Sequence, residues 1–122
     1  MIDMKNVAAL LVFLFMGVSL YAQDNNDRAK FEKKGDLVEA TYYYENGNVS
    51  QEGFFKDSKP TGVWKAYDRE GNKITQAYYV NGIKDGRWFF WKDNELTEVE
   101  YDYNKIIRVS DYQKTDSFIV NR

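Results

Sequence analysis

The sequence has 122 residues, the size of one domain, and a formal net charge of −2 at neutral pH. It contains no histidine and no cysteine, which excludes imidazole catalysis, thiolate nucleophiles, disulfides and zinc sites built from these ligands. We therefore expect no cofactor and no metal. The charge balance gives the chain no general attraction to nucleic acid, so no nucleic-acid partner is expected.

The first 22 residues have the features of a signal peptide. Lys5 precedes a run of 14 apolar residues from Val7 to Leu20, and Ala22 follows before a polar, acidic stretch. Such a run suits a signal-peptide core and is short for a membrane span, which needs about 20 apolar residues. Cleavage after Ala22 is predicted, which would export the chain to the periplasm or the outside. A retained membrane anchor is the alternative.

Turn-forming residues recur every 11 or 12 residues beyond this leader. Asn-Gly pairs favour the positive φ of tight hairpin turns. The intervening segments are rich in β-branched and aromatic residues, which is typical of strands. The sequence therefore predicts an all-β antiparallel meander of six or seven strands. The turn signals are Gly35, Asn46-Gly47, Asp57 to Pro60, Glu70-Gly71, Asn81-Gly82, Asp93-Asn94 and Asn104-Lys105.

These patterns divide the chain into four parts. Residues 1–22 are the predicted signal peptide, and residues 23–36 are a predicted flexible linker. Residues 37–112 form the predicted β-repeat domain, and residues 113–122 a C-terminal tail.

A unit of two strands repeats with a period of 24 residues. The first strand of each unit reads Gly-x-Trp-x-x-aromatic, and the second places an aromatic residue five positions after an aliphatic one. Several copies with atypical ends are the mark of a repeat architecture. The 24-residue separation relates Gly62 to Gly86, Trp64 to Trp88, and Tyr67 to Trp91.

Over residues 37–108 this pattern resembles the MORN-repeat variant of the YwqK-like antitoxin family, as an exported bacterial member. The first copy lacks Gly-x-Trp, and Asn94-Glu95 stands where the last copy should carry glycine. The resemblance implies an elongated antiparallel sheet of stacked hairpins and an antitoxin-like role. A cytoplasmic antitoxin has no signal peptide. Either the role does not transfer, or the target lies in the cell envelope, as for an immunity-like protein.

Strand periodicity places large aromatic residues on both faces of the predicted sheet. Trp88 and Phe90 point to one face, and Phe89 and Trp91 to the other. Either the sheet is single-layered, with aromatics of neighbouring hairpins stacked over it, or it curls to enclose one face. We expect Trp64, Tyr67, Trp88 and Trp91 to form mainly the repeat core. The candidate partner-binding aromatics are Trp64, Tyr67, Tyr78, Tyr79, Trp88, Phe89 and Trp91.

We expect a non-catalytic exported binding or scaffold module that recruits a protein through a sheet edge or an aromatic face. The alternative is a module that binds a cell-envelope glycan or a membrane surface. Exposed coplanar rings would favour a glycan, and the small basic cluster of Lys30, Lys33 and Lys34 a membrane. The sequence leaves the oligomeric state open.

Catalysis is not expected. Carboxylates are the only available acid–base groups, and glycoside hydrolysis needs two of them about 5–10 Å apart in a cleft. Proteins resembling this one are sometimes labelled nicotinic acid mononucleotide adenylyltransferases. That reaction needs a histidine-containing nucleotide motif and a glycine-rich phosphate loop, and neither occurs in this sequence.

Overall fold

The computed structural model describes residues 28–113 in full and the backbone of residues 114–115 and 118–121. The predicted signal peptide and its cleavage site lie outside these residues. The predicted antiparallel hairpin meander is confirmed: the described residues form one open, all-β sheet without a helix. Its strands are β1 (Ala29–Lys34), β2 (Leu37–Tyr43), β3 (Val49–Lys56), β4 (Lys59–Tyr67), β5 (Lys73–Val80), β6 (Ile83–Lys84), β7 (Gly86–Lys92), β8 (Glu95–Asp102), β9 (Lys105–Thr115) and β10 (Phe118–Asn121).

The strands lie in the sheet in the order of the chain. The path runs β1-β2-β3-β4-β5-β7-β8-β9-β10, and the two-residue β6 pairs with β5 beside this path. All described pairings are antiparallel. The sheet has more strands than the six or seven predicted, because β1, β6 and β10 were not recognised in the sequence.

Strand structure extends beyond the predicted repeat domain at both ends. Ala29–Lys34, within the predicted linker, pairs with β2, and the ring centroid of Phe31 lies 5.8 Å from that of Tyr42 at an edge-to-face angle. Four of the six residues of β1 are charged, which is why the sequence predicts a solvated linker there. Its two apolar residues, Ala29 and Phe31, occupy alternate positions, as they would in a strand. At the other end β9 continues to Thr115, and β10 occupies part of the predicted tail.

The predicted turn positions lie at or beside the connections between strands. Gly62 within β4 and Gly86 at the start of β7 adopt φ values of 72° and 64°. This region disfavours residues with a side chain, so the backbone favours glycine at both positions. Three two-residue turns have positive φ at both positions, as hairpin turns of type I′ do. They are Asp57-Ser58, Asn81-Gly82 and Tyr103-Asn104.

Burial alternates along each central strand, so the sheet has an inner and an outer face. The inner face carries the buried core, of which the largest fully buried side chains are Trp64, Trp88, Tyr42 and Val99. The sheet is single-layered, and aromatic rings of neighbouring strands cover its inner face. In this arrangement each ring buries its area against the next strand rather than against a second layer.

The 24-residue period of the sequence is also a period of contacts. The Trp64 ring lies 4.9 Å from Phe55 at 70°, and its indole N–H donates to the carbonyl of Phe54 at 3.0 Å. One repeat later, the Trp88 ring lies 5.0 Å from Tyr79 at 72°, and its indole N–H donates to the carbonyl of Tyr78 at 3.0 Å. Each tryptophan thus satisfies its one polar atom on the preceding strand.

Candidate functional site

The seven candidate binding aromatics divide between the two faces of the sheet. Trp64, Tyr79 and Trp88 are buried on the inner face and hold the core together. In this structure they offer no surface to a partner. The other four lie on the outer face, so the expectation that Tyr67 and Trp91 belong to the core does not match their position. The outer-face candidates are Tyr67, Tyr78, Phe89 and Trp91.

Two buried tyrosines of the inner face, Tyr79 and Tyr101, have raised pKa values because they are packed in the core. Burial, with a smaller contribution from Tyr101, raises the pKa of Tyr79 well above its ordinary value. Burial also raises the pKa of Tyr101 to about 12. Both phenols therefore stay protonated at neutral pH, and neither is placed to act as a base.

The outer face is a half-exposed surface of mixed character. Across the middle of the sheet its side chains follow one row of register partners, in which polar groups surround one aromatic ring. The row is Thr41, Glu52, Lys65, Gln76, Phe89 and Glu98.

An exposed apolar patch lies on the outer face of β4 and β5. Val63 and Tyr78 are register partners, and Val80 follows Tyr78 on the same face of the strand. The three side chains are between 38% and 43% exposed. Val63 and Val80 were missed in the sequence, although strand alternation places them on the face of Tyr78. We call these three residues the outer patch.

A shallow depression of about 440 Å³ lies beside the outer patch, with Val63 in its wall. Glu39, Glu52 and Lys65 also line it and give it both signs of charge. Burial, followed by a hydrogen bond to the Glu52 carboxylate, raises the pKa of Tyr67.

Two outer-face rings of β7 lie almost parallel. The centroids of Phe89 and Trp91 are 5.9 Å apart, with 25° between the ring planes. The ammonium of Lys73 lies 4.8 Å from the centroid of Trp91 and donates to Gln76 Oε1 at 2.9 Å. An open groove of about 550 Å³ adjoins Trp91 and includes Asp68 and Lys73 among its lining residues. One side of the Trp91 ring is therefore occupied by the chain's own cation.

Of the two carboxylates that line this groove, Asp68 and Asp93, the first stabilises the turn that carries it. Asp68 accepts backbone N–H groups from Asn72 at 2.8 Å and Glu70 at 3.0 Å, and these hydrogen bonds lower its pKa. A general acid of a glycosidase requires a raised pKa, so the shift at Asp68 has the opposite sign.

Successive hairpin turns bind each other at one end of the strands. The Tyr44 hydroxyl donates to the Tyr67 carbonyl at 2.7 Å, and the Asn46 and Asn48 amides donate to the Arg69 carbonyl at 3.0 and 2.7 Å. Arg69 also forms an ion pair with Glu45. A backbone hydrogen bond and this arginine lower the pKa of Glu45. Asn46 is thus a turn residue, as predicted.

Within the described part of the chain, no cluster of acidic residues is arranged to hold a metal ion. The same residues include no helix that is long and apolar enough to cross a membrane. No protein-family model matches the chain, and no match was found among curated proteins. The resemblance to MORN-like repeats therefore stays a prediction from the sequence.

Proposed function

We propose that the protein is a non-catalytic exported module that binds a protein partner through its outer face, as an antitoxin-like or immunity-like protein of the cell envelope would. The outer patch carries this proposal: Val63, Tyr78 and Val80 form contiguous exposed apolar surface on adjacent strands. Exposed apolar surface with a polar rim is the usual composition of an interface. Tyrosine is also among the residues that dominate binding energy.

The charges around the outer patch favour a protein over a featureless apolar ligand. Lys65 and Glu52 lie on the row next to Val63, and Arg87 forms an ion pair with Glu98 at 3.9 Å on the neighbouring strands. Both signs of charge are thus available to a partner, which serves orientation and specificity more than affinity.

The lowered pKa values of two turn carboxylates make neither of them suited to be a general acid. The pKa values of Glu45 and Asp68 are lowered by hydrogen bonds, whereas a catalytic acid needs a carboxyl that stays protonated. These groups stabilise turns, and this is sufficient reason for their positions.

In vivo crosslinking of the tagged full chain in its native cells tests the proposal. We expect one stoichiometric protein, lost when Val63→Ser and Tyr78→Ser are combined. The matched control is Phe31→Ser, which removes a half-exposed ring from the inner-face side of β1. If both variants retain the partner, or if Phe31→Ser alone loses it, the outer patch is not the binding site.

The near-parallel rings of Phe89 and Trp91 favour a second candidate, a glycan-binding module. Lys73 covers one side of Trp91, so a sugar stacking there would have to displace it. If a glycan binds at this position, Lys73→Ala should strengthen binding on a glycan array and Trp91→Ala should abolish it. If Lys73→Ala instead abolishes glycan binding and Trp91→Ala strengthens it, no sugar stacks on Trp91, and only the protein-binding proposal remains.

A further inference from the structure

The two lateral edges of the sheet differ in how they are protected. The edge strand β1 carries Lys30, Lys33 and Lys34 among its six residues. Lysines on an edge strand discourage pairing with another chain. At the opposite edge β10 covers only part of β9, since its register partners run from Tyr112 to Thr115. The preceding segment of β9 has no strand partner on that side among the described residues.

We call this uncovered segment the slot. Toward the C-terminus, its boundary among the described residues is Tyr112, which pairs with Asn121 of β10. The other end is set by a bulge, because Glu100 pairs with Arg108 and Tyr101 with Ile106, which leaves Ile107 without a register partner. The slot therefore consists of Arg108 to Asp111, about 14 Å of strand at 3.4 Å per residue.

Two exposed apolar side chains precede the slot, both at the end where β9 begins. Tyr103 is 71% exposed in the β8–β9 turn, and Ile107 is 53% exposed at the bulge. Tyr103 also holds a φ of 46°, which is an uncommon conformation for a bulky residue. The turn is fixed because the Asn104 N–H donates to the Lys84 carbonyl and the Lys84 N–H donates to Asn104 Oδ1, both at 2.9 Å. The backbone that carries Tyr103 is thus fixed, and its exposed ring and the side chain of Ile107 offer apolar surface next to the start of the slot.

On the side where β9 is paired, its partner β8 indicates which side chains fit opposite the outer-face residues of β9. On that side the acidic strand β8 places Glu98 opposite Ser110 and Glu100 opposite Arg108. The Arg108 guanidinium is only 3.7 Å from Glu100 and 68% exposed, so it can also meet a carboxylate on its other side. Lys105, just beyond the bulge, forms no ion pair with any described residue. The slot's own carboxylate, Asp111, lies on the inner face, where it accepts a hydrogen bond from the Thr97 hydroxyl at 3.0 Å. An occupant of the slot should therefore carry an acidic side chain on the outer face, opposite Arg108.

A second copy of this chain does not meet that requirement at its edges. The β1 edge is basic. Antiparallel pairing of two slots would place Arg108 opposite Arg108, Ser110 or Tyr112, depending on the register, and none of these is acidic. The acidic strand β8 is internal and already paired on both sides.

We propose that the Arg108–Asp111 edge of β9 is a second binding site, which adds a short, acidic, extended segment of another protein as a strand. Backbone hydrogen bonds would supply affinity, and Arg108 with the Tyr103 and Ile107 anchors would supply selectivity. This site is separate from the outer patch, so it does not depend on the proposed function.

The test uses a fluorescent synthetic peptide with the sequence of Glu95–Asp102 and protein expressed from the full chain. We expect Arg108→Glu to weaken binding about fivefold, as reversal of an exposed ion pair does. The matched control is Arg87→Glu, since Arg87 is 66% exposed and lies 3.9 Å from its own glutamate. It should change the affinity by less than about twofold. A peptide with lysine at the positions of Glu98 and Glu100 should recover binding to Arg108→Glu.

Amide hydrogen exchange locates the peptide. Exchange at Arg108–Asp111 should slow on binding, while exchange in β8 stays unchanged, which excludes replacement of β8 by the peptide. Absence of binding, equal affinity of the two arginine variants, or faster exchange in β8 would each overturn the proposal. So would a concentration-dependent dimer that Arg108→Glu dissociates, because the slot would then belong to a second copy. The double variant Val63→Ser with Tyr78→Ser should bind the peptide normally, and a loss there would also overturn it.

Discussion

Gly53 lies directly beneath the indole of Trp64. A Cβ atom at Gly53 would come within 2.1 Å of Cδ2 of that ring, far closer than any van der Waals contact. Gly53 is not among the glycines with positive φ. Its side chain is therefore excluded by packing and not by backbone conformation. The inner face at this point is a tryptophan lying flat across a neighbouring backbone.

Gly53→Ala should destabilise the protein by about 1–3 kcal/mol, because the added methyl forces the Trp64 ring out of its position. Urea unfolding measures this. In a double-mutant cycle with Trp64→Leu, the alanine should cost much less, since the smaller side chain leaves room for it. Additive costs would show that the close contact is not the source of the effect.

Trp88 and Trp91 should respond very differently to truncation, although they lie on the same strand. Trp88 is fully buried, so Trp88→Ala should cost about 3–5 kcal/mol. Trp91 is half-buried on the outer face, so Trp91→Ala should cost about 1 kcal/mol. Equal losses in chemical denaturation would contradict the assignment of the two faces.

Stability should fall in alkaline solution through Tyr101. Its pKa is raised from 10.0 to about 12 by burial, so between these values the unfolded chain releases a proton that the folded protein retains. The free energy of unfolding is therefore fully retained below pH 10 and decreases as the pH rises toward 12. Tyr101→Phe should reduce this slope. The Tyr101 hydroxyl has no hydrogen-bond partner among the described residues, so the variant should cost little at pH 7. An unchanged slope between pH 9 and 12 would refute the assignment.

Tyr103→Asn should stabilise the protein while weakening the β9 edge site. Asparagine tolerates positive φ better than tyrosine, and we expect a gain of about 0.5–1 kcal/mol. Loss of the exposed ring should lower affinity for the acidic peptide. Thermal unfolding and peptide anisotropy measure the two effects on one sample. A variant that is less stable than the parent protein would show that the turn carries no strain.

The positions of turns and the two sets of strand side chains follow from the sequence, because Asn-Gly pairs and strand alternation are local properties. Which set is buried does not follow from hydrophobicity, since Trp88 with Phe90 and Phe89 with Trp91 are equally apolar. The deciding signal is the small residues beside the tryptophans: Gly53 contacts Trp64, and Ala77 is its register partner. The outer face has no such small neighbours at the corresponding row, where Glu52, Lys65 and Gln76 stand instead.

The site was harder to predict than the fold for the same reason. Each candidate aromatic was recognised by residue type, and type does not distinguish a ring that supports the sheet from one that meets a partner. Val63 and Val80 are unremarkable β-branched residues in the sequence, and only their neighbours in the sheet make them a surface. The β9 slot depends on the register in which β10 pairs with β9, which no local pattern specifies.

The contact between a tryptophan and the preceding strand repeats with each hairpin, so the sheet can be lengthened or shortened by whole hairpins. Every strand packs mainly on its neighbours in the chain, so no contact has to be closed between distant ends of the sequence. Insertion of one further 24-residue unit, copied from Gly62–Asp85, should therefore lengthen the sheet by two strands and leave both edges unchanged. Proteins with such local contacts also fold quickly for their size. In evolutionary terms, the chain can grow or shrink by whole hairpins without redesign of its core.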